Sequence, residues 1–161
     1  MTTQRAGHGP RILDGVRVLD FTAVVAGPYC TRLMADLGAD VLKIEPPAGE
    51  LMRHTPPFRD GASALFAQLN AGKRSLALDL KQPAAVDLVK RLVTRYDVVV
   101  ENFSPGVMAR FGLDYATLAG LRPDLESARS PGRPRRVRSS PGRHPSGRQG
   151  GCRSRRQGNA P

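Results

Sequence analysis

The sequence predicts an α/β protein built on a parallel, doubly wound sheet, and three observations carry that prediction. Short β-rich runs alternate with helical segments, the pattern of strands joined by crossover helices. Proline lies near the start of several of those helical segments, and glycine follows the first of them, matching the preferences of helix ends. One run, Asp97–Val100, is almost continuously apolar, as expected of a strand covered on both faces.

Taken in order, Val16–Phe21 reads as a buried strand, and Ala26-Gly27-Pro28 breaks it. A helix follows from Tyr29 to Leu37, with Gly38 suited to the left-handed position beyond its end. Val41–Glu45 is a second strand, stopped by Pro46-Pro47. Residues 46–61, rich in Pro, Gly and charge, read as a long excursion, and Ala62–Leu69 as one or two helical turns. Ser75–Leu80 alternates like a strand. Pro83 opens the clearest helix, over 83–95, with Ala85, Val86, Leu88, Val89, Leu92 and Val93 at helical spacing. Lys90, Arg91 and Arg95 sit near its C-terminus, where cations suit the dipole. A strand over 97–101, a short helix from Ser104 to Phe111 and another over Asp114–Leu121 complete the pattern. No further strand is expected after Asp124.

Charge divides the chain in two. The net charge is +11, yet residues 127–161 hold ten Arg and no acid, which leaves residues 1–126 almost neutral. The basic stretch is dominated by Arg, Ser, Gly and Pro, so it cannot bury enough surface to offset its ordering entropy. It is expected to be a disordered tail, with residues 1–11 a flexible leader and 12–126 the folded unit. As a polycation without aromatic residues, the tail would meet nucleic acid only non-specifically. The leader has no apolar stretch like that of a secretory signal, no run is long enough to span a membrane, and Cys30 and Cys152 make no disulfide framework. A reduced, cytoplasmic setting is expected. His8, His54 and His144 have no metal-ligand spacing.

A strand–turn–helix followed by Glu45 near the end of the second strand suggests a dinucleotide site. The turn, however, lacks the G-x-G-x-x-G that lets backbone approach a pyrophosphate. A fuller pattern is LDGVRVLDFT at 13–22, AGPYCTRLMADLGADVLKIEPPAGE at 26–50, NAGKRSLALDLK at 70–81 and VENFSPGVMARFGL at 100–113. In order and spacing these blocks resemble the N-terminal portion of the family III CoA-transferases, which include formyl-CoA transferase. Related acyl-CoA racemases share the first blocks but resemble E-G-Y-R-P-G where this chain has Glu101-Asn102-Phe103-Ser104-Pro105-Gly106.

The resemblance implies a Rossmann-like parallel sheet with flanking helices, incomplete here, that binds coenzyme A or acyl-CoA as substrate and needs no prosthetic group. Carried over by motif, Val25 and Ala26 would meet CoA through backbone groups. Leu78, Asp79, Leu80 and Lys81 would flank its adenosine end. Asn102, Phe103 and Ser104 would contact the pantetheine or phosphate region, and Arg110 would pair with phosphate. Pro46 stands where formyl-CoA transferase has an arginine for CoA. The family's nucleophile is an aspartate a few dozen residues beyond the proline that matches Pro123. It attacks the donor thioester to form an acyl anhydride, takes the released CoA as its own thioester with loss of the donor acid, and returns CoA to the acceptor acid. No Asp or Glu follows Glu126, so no catalytic residue is assigned. A truncated or frameshifted gene product is expected, with no transferase turnover, marginal stability and no interlocked homodimer of the family's kind. The alternatives are a non-catalytic CoA-binding half-domain, a racemase-related fragment and a basic nucleic-acid-binding protein. Asp20, Asp36 and Asp79 are expected to be structural, and Cys30 a buried helix residue.

Overall fold

The computed structural model describes residues 9–129. In chain order, β1 (Arg17–Asp20), α1 (Ala26–Asp36) and β2 (Asp40–Glu45) form the first crossover. A 3-10 turn (Leu51–His54) and a hairpin of β3 (Phe58–Arg59) and β4 (Ala62–Ser63) lead into α2 (Ala64–Asn70). Then come β5 (Arg74–Ala77), α3 (Pro83–Val93), β6 (Val98–Glu101), α4 (Val107–Arg110), α5 (Tyr115–Leu121) and β7 (Glu126–Arg129). The five longer strands make one sheet in the order β5-β2-β1-β6-β7, and every pairing within it is parallel.

Strand alternation explains the two layers. Leu19, Leu42 and Val99 face one way and pack with Val89 and Val93 of α3, Met108 of α4, and Leu113, Leu118 and Leu125. Their sequence neighbours Val18, Val41 and Val100 face the other way, onto Ala35 of α1 and Ala39. Each face of the sheet is thus covered by helices, so β1 and β2 are buried along nearly their whole length. Pro83 occupies the first turn of α3, where a missing N–H costs nothing, and Lys90 and Arg91 lie in its last turn. Gly38 adopts a left-handed φ of 111° behind α1. A Cβ there would lie 2.5 Å from an Asp14 carboxylate oxygen, so this turn requires glycine.

The structure corrects the sequence reading in four places. The expected strand over 75–80 ends at Ala77, and Leu78–Lys81 form the loop that follows it. Ala62–Ser63 pairs in the hairpin instead of opening a helix, and Ser63 then caps α2 by accepting the Phe66 N–H. A strand does follow Asp124: β7 extends the sheet beyond β6, with Val98 opposite Glu126 and Glu101 opposite Arg129. The folded unit therefore runs past Glu126, and Ser127-Ala128-Arg129 are not tail. Backbone pairing suffices to order this polar edge strand, and Arg129 adds an ion pair to Glu101 at 3.1 Å. Cys30, finally, is exposed on α1 and not buried. The remaining tail expectation, over 130–161, and most of the leader lie outside the described residues.

Candidate coenzyme-binding site

The strand order reverses between β1 and β6, the crevice where open α/β sheets take ligands beyond their carboxyl ends. A cleft of about 280 Å³ opens at that end of the sheet. Phe21, Ile44 and Pro46 line it from the ends of β1 and β2, Leu78–Lys81 from the loop after β5, and Phe103, Val107 and Phe111 from the segment after β6. Its wall is mainly apolar, with Lys81, Asp79 and the Arg53-paired Glu45 as its charged residues. The Leu78 N–H donates to Glu45 O at 2.8 Å, and Asp79 accepts the Lys81 N–H at 3.0 Å, so the loop is folded back against β2.

The turn between β1 and α1 is held from several sides. Asn102 reaches across the switch point: its Oδ1 accepts the Ala23 N–H and its Nδ2 donates to Ala23 O, both at 2.8 Å. Lys43 Nζ donates to Thr22 O at 2.6 Å, and Glu50 Oε1 accepts the Val24 N–H at 2.8 Å. Val24 has a φ of 71°, a left-handed conformation that a β-branched residue resists. Gly27 lets α1 start close behind this turn, since a Cβ there would fall 2.5 Å from Thr22 Cβ. No side chain caps the first N–H groups of α1, which begin at the exposed Val25 and Ala26.

Buried charges lie beneath the turn. Asp20, wholly buried, accepts hydrogen bonds from the Thr22 N–H, from Thr31 Oγ1 and from Lys73 Nζ. Lys73 also donates to Pro28 O and to Asn70 Oδ1, so one ammonium joins β1, α1 and α2. Burial pushes the Lys73 ammonium below its usual pKa, against the pull of Asp20. Burial raises the pKa of Glu45, but hydrogen bonds from Arg53, Ser75 and the Glu50 N–H together outweigh it and hold the carboxyl at about 2. Arg53 makes a two-point contact with Glu45 and stacks on the Phe66 ring at 3.9 Å. Glu45 is therefore already saturated by protein donors, which physically disfavours the ribose-binding role that a dinucleotide site would require of it.

A profile of CoA-transferase family III matches residues 13–132. The chain belongs to that family. It is 49% identical over 130 residues to the succinyl-CoA:mesaconate CoA-transferase of Haloarcula hispanica, covering 76% of this chain and 33% of the relative. It is 42% identical over 117 residues to the formyl-CoA:oxalate CoA-transferase of Rhodopseudomonas palustris, covering 71% and 28%. Among solved structures, a CAIB/BAIF family protein from Brucella suis superposes with a TM-score of 0.71 at 37% identity, over 75% of this chain and 33% of that one. A protein from Mycobacterium tuberculosis gives 0.69 at 42% identity, over 74% and 32%. This family III chain thus spans about a third of the length of these relatives.

Within the family III portion, the residues singled out from sequence fall into three groups. Leu78, Asp79, Leu80, Lys81 and Phe103 line the one cleft. Val25 and Ala26 lie exposed at the start of α1, and both polar side-chain atoms of Asn102 are engaged by Ala23. Ser104 borders a second cleft, between β6, β7 and α4, and Arg110 is exposed at the end of α4. Of the acids expected to be structural, Asp20 pairs with Lys73 and Asp36 with Arg32, while Asp79 accepts the Lys81 N–H and also lines the cleft. Sequence reasoning missed Lys43, Glu50 and Lys73. Lys43 had a signal, a lysine inside the apolar run Val41-Leu42-Lys43-Ile44, whereas Glu50 sits in an excursion with no periodicity to place it. Among the described residues no helix is long and apolar enough to cross a membrane.

Proposed function

We propose that this chain is the coenzyme A-binding portion of a transferase that moves CoA from an acyl thioester to a carboxylic acid. The observation that carries the reading is the apolar cleft at the switch point with Lys81 beside it. Coenzyme A is a polyanion with a flat adenine and a long flexible arm. It is matched by apolar walls, a cation, and backbone donors at a helix start. In this reading Leu78–Lys81 flank the adenosine end, Val25 and Ala26 offer N–H groups, Phe103 meets the arm, and Arg110 approaches a phosphate. Ser104 and Asn102 border the same path. Pro46 donates nothing to phosphate, which leaves Lys81 the more of the binding charge.

Transfer itself requires a carboxylate to take the acyl group, and no Asp or Glu follows Glu126 in the 161 residues. The chain alone therefore binds without turnover. Equilibrium dialysis with labelled CoA, run beside a thioester-to-acid exchange assay, tests both halves. Saturable binding with exchange no faster than buffer is expected. No binding would overturn the site, and exchange abolished by a substitution within 9–129 would show a nucleophile inside the described residues.

A further inference from the structure

The turn that precedes α1 is fixed residue by residue by side chains from three different segments. Lys43, in the middle of β2, holds Thr22 O; Asn102, after β6, holds both backbone groups of Ala23; Glu50, after β2, holds the Val24 N–H. These are costly devices. The Lys43 and Glu50 side chains are 1% and 3% exposed, 3.8 Å apart, and among the described residues Glu50 Oε2 is buried without a hydrogen-bond partner. The conformation they impose is also costly, because Val24 is left-handed. Nothing in the packing of the core needs this valine to be left-handed, since it is 45% exposed and belongs to neither core cluster. Strain held by buried charges at the switch point is the signature of a site being shaped in advance of its ligand.

We infer that Glu50, Lys43 and Asn102 are positioning residues: they clamp Thr22–Val24 so that the N–H groups of the exposed residues Val25 and Ala26 are aimed for the phosphate-to-pantetheine stretch of CoA. The Lys43 ammonium and the Asn102 amide are engaged by the turn, and Glu50 gives it Oε1, which also accepts the Met52 N–H, so the three act on the ligand through the turn. None of the three lines the cleft, and Glu50 is the most informative member because it holds the left-handed Val24 itself. The inference rests on the CoA-binding reading and adds a division of labour to it. The adenosine end, held by Leu78–Lys81, is independent of the clamp, and the arm depends on it.

Affinities of the full chain for CoA and for adenosine 3′,5′-bisphosphate, which lacks the arm, separate the two ends. Glu50→Ala should weaken CoA by about tenfold, the loss expected when one pre-set contact region is released. It should change the bisphosphate less than about twofold, on the same scale. Glu50→Gln keeps an acceptor for the Val24 N–H and should restore CoA affinity. A residue that merely stabilises the fold would weaken both ligands together, and that result, or unchanged CoA affinity in Glu50→Ala, overturns the clamp. If Glu50→Ala does not fold, Asn102→Asp, which keeps the acceptor for the Ala23 N–H but loses the donor to Ala23 O, must show the same selective loss. If the unaltered chain binds neither ligand, the CoA reading fails. The clamp is then judged on the Val24 amide, whose protection from exchange should fall in Glu50→Ala and persist in Glu50→Gln; equal protection in both would overturn it.

Discussion

Replacing Asp20 by Asn removes the charge that compensates a buried lysine while keeping the shape of the side chain. Asp20 is wholly buried, the Lys73 side chain is 1% exposed, and the two approach to 3.0 Å. At an effective dielectric of about 20 their attraction is on the order of 5 kcal/mol, most of which offsets the cost of taking both charges out of water. Breaking such a pair from one side costs roughly 3–5 kcal/mol, because the partner is left buried and uncompensated. The Asn amide would also turn a donor toward Thr31 Oγ1 or the Thr22 N–H, both of which now donate to Asp20. Total stability for a folded unit of this size is only on the order of 10 kcal/mol, so the urea midpoint should fall by a third or more. Circular dichroism against urea measures it, with Lys73→Met and the double variant completing a cycle. The double variant should recover at least half of the loss. A cost below about 1 kcal/mol for Asp20→Asn, the value of an exposed pair, would refute the reasoning.

Three further outcomes are expected. The Glu45 carboxyl is lowered from 4.5 to about 2 on folding, so its contribution is complete above pH 4.5 and is lost as pH falls from 4.5 through 2. Allowing for the part-exposed Arg53, that contribution is roughly 2 kcal/mol, and the stability gap between the unaltered chain and Glu45→Gln should close across that window in urea titrations; a gap independent of pH would contradict it. Lys81→Ala should weaken CoA by roughly threefold to tenfold at low salt and by less at high salt, as isothermal titration at two ionic strengths would show. The Glu126 amide, bonded to Asp97 O at 3.0 Å, should exchange more slowly than an unstructured amide if β7 is part of the sheet.

The sheet was legible because its burial is recorded in local pattern. Asp97–Val100 and Val41–Ile44 are apolar runs, and Pro83 with its spaced aliphatics writes a helix directly into the chain. β7 was not legible. Glu126-Ser127-Ala128-Arg129 is exposed throughout and polar, so its strand character comes from pairing with β6, a non-local term that sequence pattern does not carry. The cleft residues after β5 and β6 came from motif resemblance, and five of the ten line one surface. Asn102 was singled out for the ligand by motif, and its double hydrogen bond to Ala23 is a contact that the motif does not reveal. Glu50 and Lys73 act through partners in distant segments, and nothing in their own surroundings in sequence announces it.

The central claim is that the cleft at the switch point takes CoA, and an amide-resolved NMR titration of the full chain with CoA tests it most directly. The account predicts saturable shifts concentrated at Leu78–Lys81, Phe103, Phe111, Val25 and Ala26. Shifts confined instead to Asp114, Tyr115 and Ser127 around the second cleft, or none at all, would contradict it.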